Sequence, residues 1–137
     1  MVYVLDSSFV CALVIPDEKS PQVSKMYAKI ENEDEKYAPG LVWYEIANVF
    51  MNLIRRKRYT FNEVMQFFPP VAAICLICDS ETGSGYSEKL LRLSIDYNLS
   101  SYDAAYLELA ERKKAVLCTI DNDLKAAAKK HGVAVLK

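Results

Sequence analysis

The segment Val2-Tyr3-Val4-Leu5-Asp6 determines which fold the rest of the sequence can adopt. Four consecutive apolar residues followed by polar ones are typical of a strand buried on both faces, as in a parallel sheet covered by helices. In such sheets the ligand-binding crevice lies beyond the carboxyl ends of the strands, where Asp6 is placed. A functional site is therefore predicted here if the chain brings other carboxylates to the same edge.

The composition is typical of one globular domain spanning residues 1–137, with 52% hydrophobic and 26% charged residues. A net charge of −1 gives no overall argument for nucleic-acid binding, so any such argument must depend on local basic patches. No apolar run approaches the roughly 18 residues of a membrane span, and the first residues lack the basic region of a signal peptide. We therefore expect a cytoplasmic protein without membrane association.

Strand and helix patterns alternate after the first strand. The predicted strands span residues 2–5, 37–39, 72–78, 115–120 and 133–136. The predicted helices begin at Ser7 or Ser8 as N-cap, near 23, at 41, at Thr60 with Glu63 completing a capping box, and near 86, 102 and 123. The helix from Thr60 is expected to stop at Pro69-Pro70, and the last helix at Gly132. The pattern predicts an α/β domain with a mainly parallel central sheet of about five strands and helices on both faces.

Two of the four cysteines, Cys75 and Cys78, form a CxxC pattern inside the predicted strand 72–78. Residues three apart in a strand point to opposite faces, so these thiols cannot share a zinc ion or form a disulfide with each other. We expect buried apolar thiols, with a redox or metal role as the alternative. The only histidine, His131, lies at a predicted helix end, where a structural role is expected.

Four acids lie where a purely structural role is harder to accept, namely Asp6, Glu45, Asp103 and Asp121. Taken singly, Asp103 can complement a helix dipole, Asp121 can cap the final helix and Glu45 can be half-exposed without a role. The other acids, Asp79 and Glu108 among them, are expected on solvated surfaces and turns.

Taken together, the four acids predict a metal centre. Asp6 and Asp121 end two parallel strands at one edge, and helices entering from that edge place Glu45 and Asp103 in their first turns. Neighbouring carboxylates cannot all stay ionised in a low dielectric unless a cation compensates them. Oxygen ligands without His or Cys select hard ions such as Mg²⁺ or Mn²⁺, and such a centre suits phosphodiester hydrolysis.

Four segments together resemble the PIN-domain ribonucleases, especially the VapC-type toxins of bacterial and archaeal toxin–antitoxin modules, and the likeness runs from Val2 to Val135. The segments are Val4-Leu5-Asp6-Ser7-Ser8, Ala38-Pro39 with Trp43-Tyr44-Glu45-Ile46-Ala47-Asn48-Val49, Leu99-Ser100-Ser101-Tyr102-Asp103-Ala104-Ala105-Tyr106-Leu107-Glu108-Leu109-Ala110, and Leu117-Cys118-Thr119-Ile120-Asp121-Asn122-Asp123-Leu124. The resemblance implies a three-layer α/β/α fold and a Mg²⁺- or Mn²⁺-dependent endoribonuclease. It implies catalytic roles for the four acids, with Asp6, Asp103 and Asp121 as metal ligands and Glu45 acting directly or through water. Asp123 is a possible further ligand, and Ser8 and Thr119 match supporting hydroxyl positions.

The resemblance also implies a homodimer and a small cognate antitoxin that lays a segment, often with a basic side chain, across the acidic groove. An apolar face could serve that partner, although the core is expected to take about half of its residues, which are Trp43, Tyr44, Phe50, Phe61, Phe67 and Phe68. For RNA, basic residues could contact phosphates without reading bases, and these are Arg55, Arg56, Lys57, Arg58, Lys125, Lys129 and Lys130. Complementing a helix dipole explains the first four equally well.

Three other function classes remain as alternatives. An aspartyl-phosphate phosphohydrolase would need a second acid two residues after Asp6, where this chain has Ser8. A receiver-type phospho-acceptor would need adjacent acids after the first strand and a lysine after a later one, which Thr119-Ile120-Asp121 does not provide. A non-catalytic PIN-fold binding or scaffold module is the third, and the four intact acids count against it.

Overall fold

The computed structural model describes residues 1–137, and its centre is a four-stranded, fully parallel sheet. The strands are β1 (Val2–Leu5), β2 (Glu35–Pro39), β3 (Ile77–Asp79) and β4 (Val116–Cys118), in the order β3-β2-β1-β4. The helices are α1 (Ser7–Val14), α2 (Pro21–Tyr27), α3 (Val42–Arg55), α4 (Phe61–Met65), α5 (Phe68–Ala73), α6 (Ser84–Tyr97), α7 (Ser101–Lys113) and α8 (Asn122–His131). The predicted α/β class with a mainly parallel sheet is therefore confirmed. None of the helices is long and apolar enough to cross a membrane.

Strand β1 is central in the sheet because it pairs with β2 on one side and β4 on the other. Its residues Val4 and Leu5 are fully buried, as expected for an apolar run covered on both faces. All four strands run in the same direction, so their carboxyl ends meet at one edge of the sheet. The predicted fifth strand is reduced to one bridge between Val135 and Leu117, because the chain pairs with β4 only around that residue.

Helix α7 is the most buried helix and packs against β1, β2 and β4 beneath α6. All seven residues from Ala104 to Ala110 are buried, and the alanines at 104, 105 and 110 let neighbouring elements approach closely. A helix enclosed in this way has little freedom to shift. The positions of the side chains at its start, including Asp103, are consequently fixed by the core.

Local capping signals are mostly where the sequence predicts them. Thr60 and Glu63 form the capping box of α4, Ser100 caps α7, and Gly132 ends α8 in the left-handed conformation. At α1 the prediction was wrong, because the N-cap is Asp6 and not Ser7 or Ser8. A carboxylate one position earlier reaches the backbone N–H of Phe9, so the helix begins immediately after the strand.

The prediction of a strand over residues 72–78 with buried cysteines was also wrong. Pro69 lies in the first turn of α5, where proline begins a helix, and only Ile77–Asp79 forms β3. Because β3 is an edge strand, Cys78 is exposed, and Cys75 is exposed in the preceding turn with a φ of 58°. All four cysteines are free thiols.

Two acids expected on solvated surfaces instead join a partly buried ion network. Glu108 is only 4% exposed, and its Oε1 accepts a hydrogen bond from Arg112 Nε at 2.8 Å. The same guanidinium donates to both carboxylate oxygens of Asp79, at 3.0 and 2.7 Å. Arg112 therefore ties the end of the edge strand β3 to α7. His131 has a comparable linking role, since its ring contacts Tyr97 on α6 at 2.6 Å and Glu111 on α7 at 2.8 Å.

Candidate active site

The four predicted acids all lie at the carboxyl edge of the sheet, at the beginnings of four helices. Asp6 and Asp121 cap α1 and α8 directly after the neighbouring strands β1 and β4. Glu45 and Asp103 lie in the first turns of α3 and α7. Each helix directs the positive end of its dipole towards the carboxylate that it carries, which lowers the cost of gathering these charges.

Asp6 is the most enclosed of the acids, with an exposure of 4%. Its Oδ1 accepts hydrogen bonds from the Phe9 backbone N–H at 2.9 Å and the Ser8 hydroxyl at 2.7 Å, and its Oδ2 accepts one from Thr119. Burial raises the pKa of Asp6 to about 6, against the opposing effect of these hydrogen bonds and with a smaller contribution from the charge of Asp103. The carboxylate is thus held rigidly in a site that disfavours its own charge.

Thr119 connects the two strand-end acids. Its fully buried hydroxyl donates to Asp6 and accepts a hydrogen bond from the backbone N–H of Asp121 at 3.0 Å. Asp121 is exposed, and its Oδ1 accepts from the N–H of Leu124 at 2.9 Å as the cap of α8. The hydroxyl positions at Ser8 and Thr119 therefore both contact Asp6.

Glu45 and Asp103 are half-buried and influence each other. Burial raises the pKa of Glu45, the hydrogen bond from Tyr106 opposes this rise, and the charge of Asp103 adds to it. Burial is also the main reason that the pKa of Asp103 is raised, followed by the charge of Asp121, with a further contribution from Asp123. These mutual effects link the acids electrostatically through Asp103.

None of these acids forms an ion pair with a lysine, arginine or histidine. Partly buried carboxylates without a basic partner leave negative charge that a bound cation would compensate. No group of three or more His, Cys, Asp or Glu side chains is arranged to hold a metal ion directly. Mg²⁺ usually keeps several waters and binds one or two carboxylates, so the all-oxygen donor set fits a hydrated hard cation.

The remaining predicted residues lie further out. Asp123 is exposed in the first turn of α8. The basic residues Arg55 to Arg58 lie at the opposite end of α3, which Arg55 ends roughly 15 Å along the helix from Glu45 at 1.5 Å per residue. Arg58 is engaged by Asp17 at 2.6 Å and Glu18 at 3.5 Å.

The sequence motifs assigned no role to Tyr106, whose hydroxyl donates to Glu45 Oε1 at 2.6 Å. A signal was present, because Tyr106 follows Asp103 by three residues and therefore lies on the same face of α7. A buried tyrosine hydroxyl usually has a hydrogen-bond partner, but the sequence does not identify which residue that partner is.

The parallel α/β fold with an acidic cluster at its carboxyl edge is the architecture expected of a PIN domain. The model of the PIN domain family matches residues 3–130. This protein belongs to the PIN-domain family, and the resemblance seen in the four sequence segments is confirmed.

Individual relatives agree with this assignment. Ribonuclease VapC3 of Pyrobaculum aerophilum is 26% identical over 124 residues, which cover 90% of this chain and 92% of the relative. The structure of VapC20 of Mycobacterium tuberculosis, described as a sarcin–ricin loop cleaving toxin, is 18% identical with a TM-score of 0.64, over 93% of this chain and 95% of that one. A toxin–antitoxin complex from Klebsiella pneumoniae is 16% identical with a TM-score of 0.58, over 87% and 86%. The likenesses to these two structures are evidence of a shared fold.

Proposed function

We propose that this protein is a divalent-metal-dependent endoribonuclease and the toxin component of a toxin–antitoxin pair. The observation that carries the proposal is the group of acids at the sheet edge without a basic partner, in a chain of the PIN-domain family. Asp6, Asp103 and Asp121 would hold hydrated Mg²⁺ or Mn²⁺, one or two of them directly and the rest through its waters, with Glu45 acting directly or through water. Asp123 is a further possible ligand.

A bound ion would lower the pKa of an attacking water and neutralise charge on the leaving oxygen of the phosphodiester. The chain supplies the geometry. Asp6 is fixed by the Phe9 N–H and by the Ser8 and Thr119 hydroxyls, so its position does not depend on substrate. Tyr106 engages Oε1 of Glu45, which leaves Oε2 to orient the water or accept its proton.

For RNA, Arg55, Arg56 and Lys57 remain candidate phosphate contacts, whereas Arg58 is already paired with Asp17 and Glu18. Three lysines on α8 are further candidates for phosphate contacts, namely Lys125, Lys129 and Lys130. Such contacts are expected to add affinity without sequence preference.

The proposed protein partners are a second copy of the chain and a small antitoxin. The toxin–antitoxin complex with the same fold supports the second partner. Acids without a basic partner can receive an arginine fork, which is a strong charge-assisted interaction. Part of the predicted apolar face is available to a partner. Phe50 and Phe67 are buried in the core, and its exposed residues are Trp43, Tyr44, Phe61 and Phe68.

The proposal is tested by incubating RNA with the purified protein and its Asp6→Asn and Asp103→Asn variants, in Mg²⁺ or Mn²⁺ and in excess EDTA. We expect cleavage by the wild type with metal, and loss of cleavage in both folded variants and in EDTA. Asp96→Asn, which changes an exposed acid on α6, is the matched control and is expected to retain activity. Wild-type cleavage that persists in EDTA would refute the metal-dependent mechanism.

A non-catalytic PIN-fold binding module is the alternative that this experiment separates from the enzyme. Binding of RNA or a partner without cleavage in either metal would favour it. An Mn²⁺ titration of the wild type against Asp6→Asn would show whether the acids bind metal in either case.

A further inference from the structure

Tyr106 ends at the proposed active site, although its ring belongs to the core. It is the largest of the fully buried side chains, with an exposure of 1%. Its hydroxyl donates to Glu45 Oε1 at 2.6 Å and joins α7 to α3 across 61 positions of sequence. A phenylalanine would fill almost the same space, so packing alone does not account for the hydroxyl group.

The surroundings of Tyr106 fix its hydroxyl in space. Ala105 and Leu107 on either side are fully buried, so α7 is enclosed by the core at this position. Asp103 lies three residues earlier on the same face of the helix. One rigid helix therefore carries one acid of the site and holds a second acid that comes from another helix.

Glu45 needs such a partner more than the two acids that cap helices. Asp6 and Asp121 are held by hydrogen bonds from the backbone of the helices that they cap. Helix α3 begins without a side-chain cap, so Glu45 is not held by capping. The Glu45 side chain is also longer than that of aspartate and can adopt more rotamers. The Tyr106 hydroxyl donates to Glu45 Oε1 at 2.6 Å and so favours one of them.

We propose that Tyr106 is a positioning residue whose hydroxyl holds Glu45 Oε1 and so fixes the orientation of the Glu45 carboxylate at the proposed metal site. The inference rests on the proposed function and adds a residue to it. Partners that orient metal ligands typically contribute about 10–100-fold to metal affinity or activity. Loss of the hydroxyl should therefore affect metal binding or turnover while the ring keeps the core filled.

The test compares Tyr106→Phe with Tyr97→Phe, a matched control that loses a phenol hydrogen bond of the same 2.6 Å length outside the site, to His131. Mn²⁺ binding to each protein is measured by calorimetry, and kcat and KM for RNA cleavage are measured separately. We expect Tyr106→Phe to weaken Mn²⁺ binding or lower kcat by about 10–100-fold with little change in KM, and Tyr97→Phe to change either by less than about threefold.

A double-mutant cycle with Glu45→Gln shows whether Tyr106 acts through Glu45. In the Glu45→Gln background, Tyr106→Phe should cause less than about a threefold further change. An equal effect with and without the Glu45 carboxylate would overturn the positioning role, as would matching effects of Tyr106→Phe and Tyr97→Phe.

If the wild type binds no Mn²⁺ and cleaves no RNA, the proposed function fails and the positioning role with it. If the wild type binds Mn²⁺ and Tyr106→Phe binds it equally with unchanged kcat, only the positioning role fails.

Discussion

Replacing Asp6 by asparagine should make the folded protein more stable at neutral pH while abolishing its proposed activity. Asp6 is almost fully buried, and the charge that catalysis would require is disfavoured in the absence of metal. Asparagine keeps the size of the side chain and an acceptor oxygen for the Phe9 N–H, but removes the charge. The site would thus carry a cost in stability that a bound cation offsets.

The magnitude follows from the two pKa values of Asp6. The carboxyl has its ordinary pKa of 3.8 in the unfolded chain and a pKa of about 6 in the folded protein. Between these values the folded protein binds more protons than the unfolded chain, so its stability falls as the pH rises from about 4 to above 6. At about 1.4 kcal/mol for each tenfold change in proton affinity, the full loss is roughly 3 kcal/mol.

Urea unfolding followed by circular dichroism, in EDTA, measures this effect. Asparagine replaces the oxygen that accepts from Thr119 with an NH₂ group, which should subtract about 1 kcal/mol at every pH. The stability of Asp6→Asn relative to the wild type should therefore be about 2 kcal/mol greater near pH 7.5 than near pH 4.5.

Asp96→Asn on the exposed surface of α6 is the control, and it should change stability by less than about 0.5 kcal/mol at either pH. A constant difference between Asp6→Asn and the wild type across this pH range would refute the reasoning. It would mean that the hydrogen bonds to Asp6 compensate its burial fully.

Two further predictions concern features outside the site. Arg112→Met should destabilise the fold by on the order of 3 kcal/mol in urea unfolding, because Glu108 stays buried without its partner. Arg92→Met removes an exposed pair at the same helical spacing and should cost less than about 0.5 kcal/mol; equal losses would contradict the role given to burial. In native protein, a chromogenic thiol reagent should modify two cysteines rapidly and two only on unfolding, since burial raises the pKa of Cys11 to about 12 and that of Cys118 also above its usual range. The rapid pair is Cys75 and Cys78, and four equal rates would show that the thiols are not separated by burial.

The sequence predicted most of the elements because they depend on neighbouring residues. The apolar run before Asp6 specifies a buried strand, and the Thr60–Glu63 capping box and Gly132 mark helix ends through hydrogen bonds within a few residues. The same local logic predicted that Asp6 and Asp121 would share one edge, because parallel strands end on the same side. Glu45 and Asp103 followed from their places in the first turns of helices.

Local signals could not show which strand would lie at the edge of the sheet. The apolar residues around Cys75 and Cys78 match a buried strand, yet β3 pairs on one side only and leaves Cys78 exposed, and Cys75 is exposed before the strand begins. The pair Pro69-Pro70 can end one helix or begin the next, and in the structure Pro69 lies in the first turn of α5. Each choice depends on contacts between residues that are distant in sequence.

The sequence by itself thus determined the class of fold and the acids of the candidate site, since periodicity, caps and motifs are written in short segments. Tertiary structure alone decided what surrounds those acids. It placed the Tyr106 hydroxyl on Glu45, joined Asp6 to Asp121 through Thr119, and paired Arg112 with acids that were expected in solvent. The physical reason is that burial and hydrogen-bond partners belong to the packed chain as a whole, and they set the charge and the rigidity of each carboxylate.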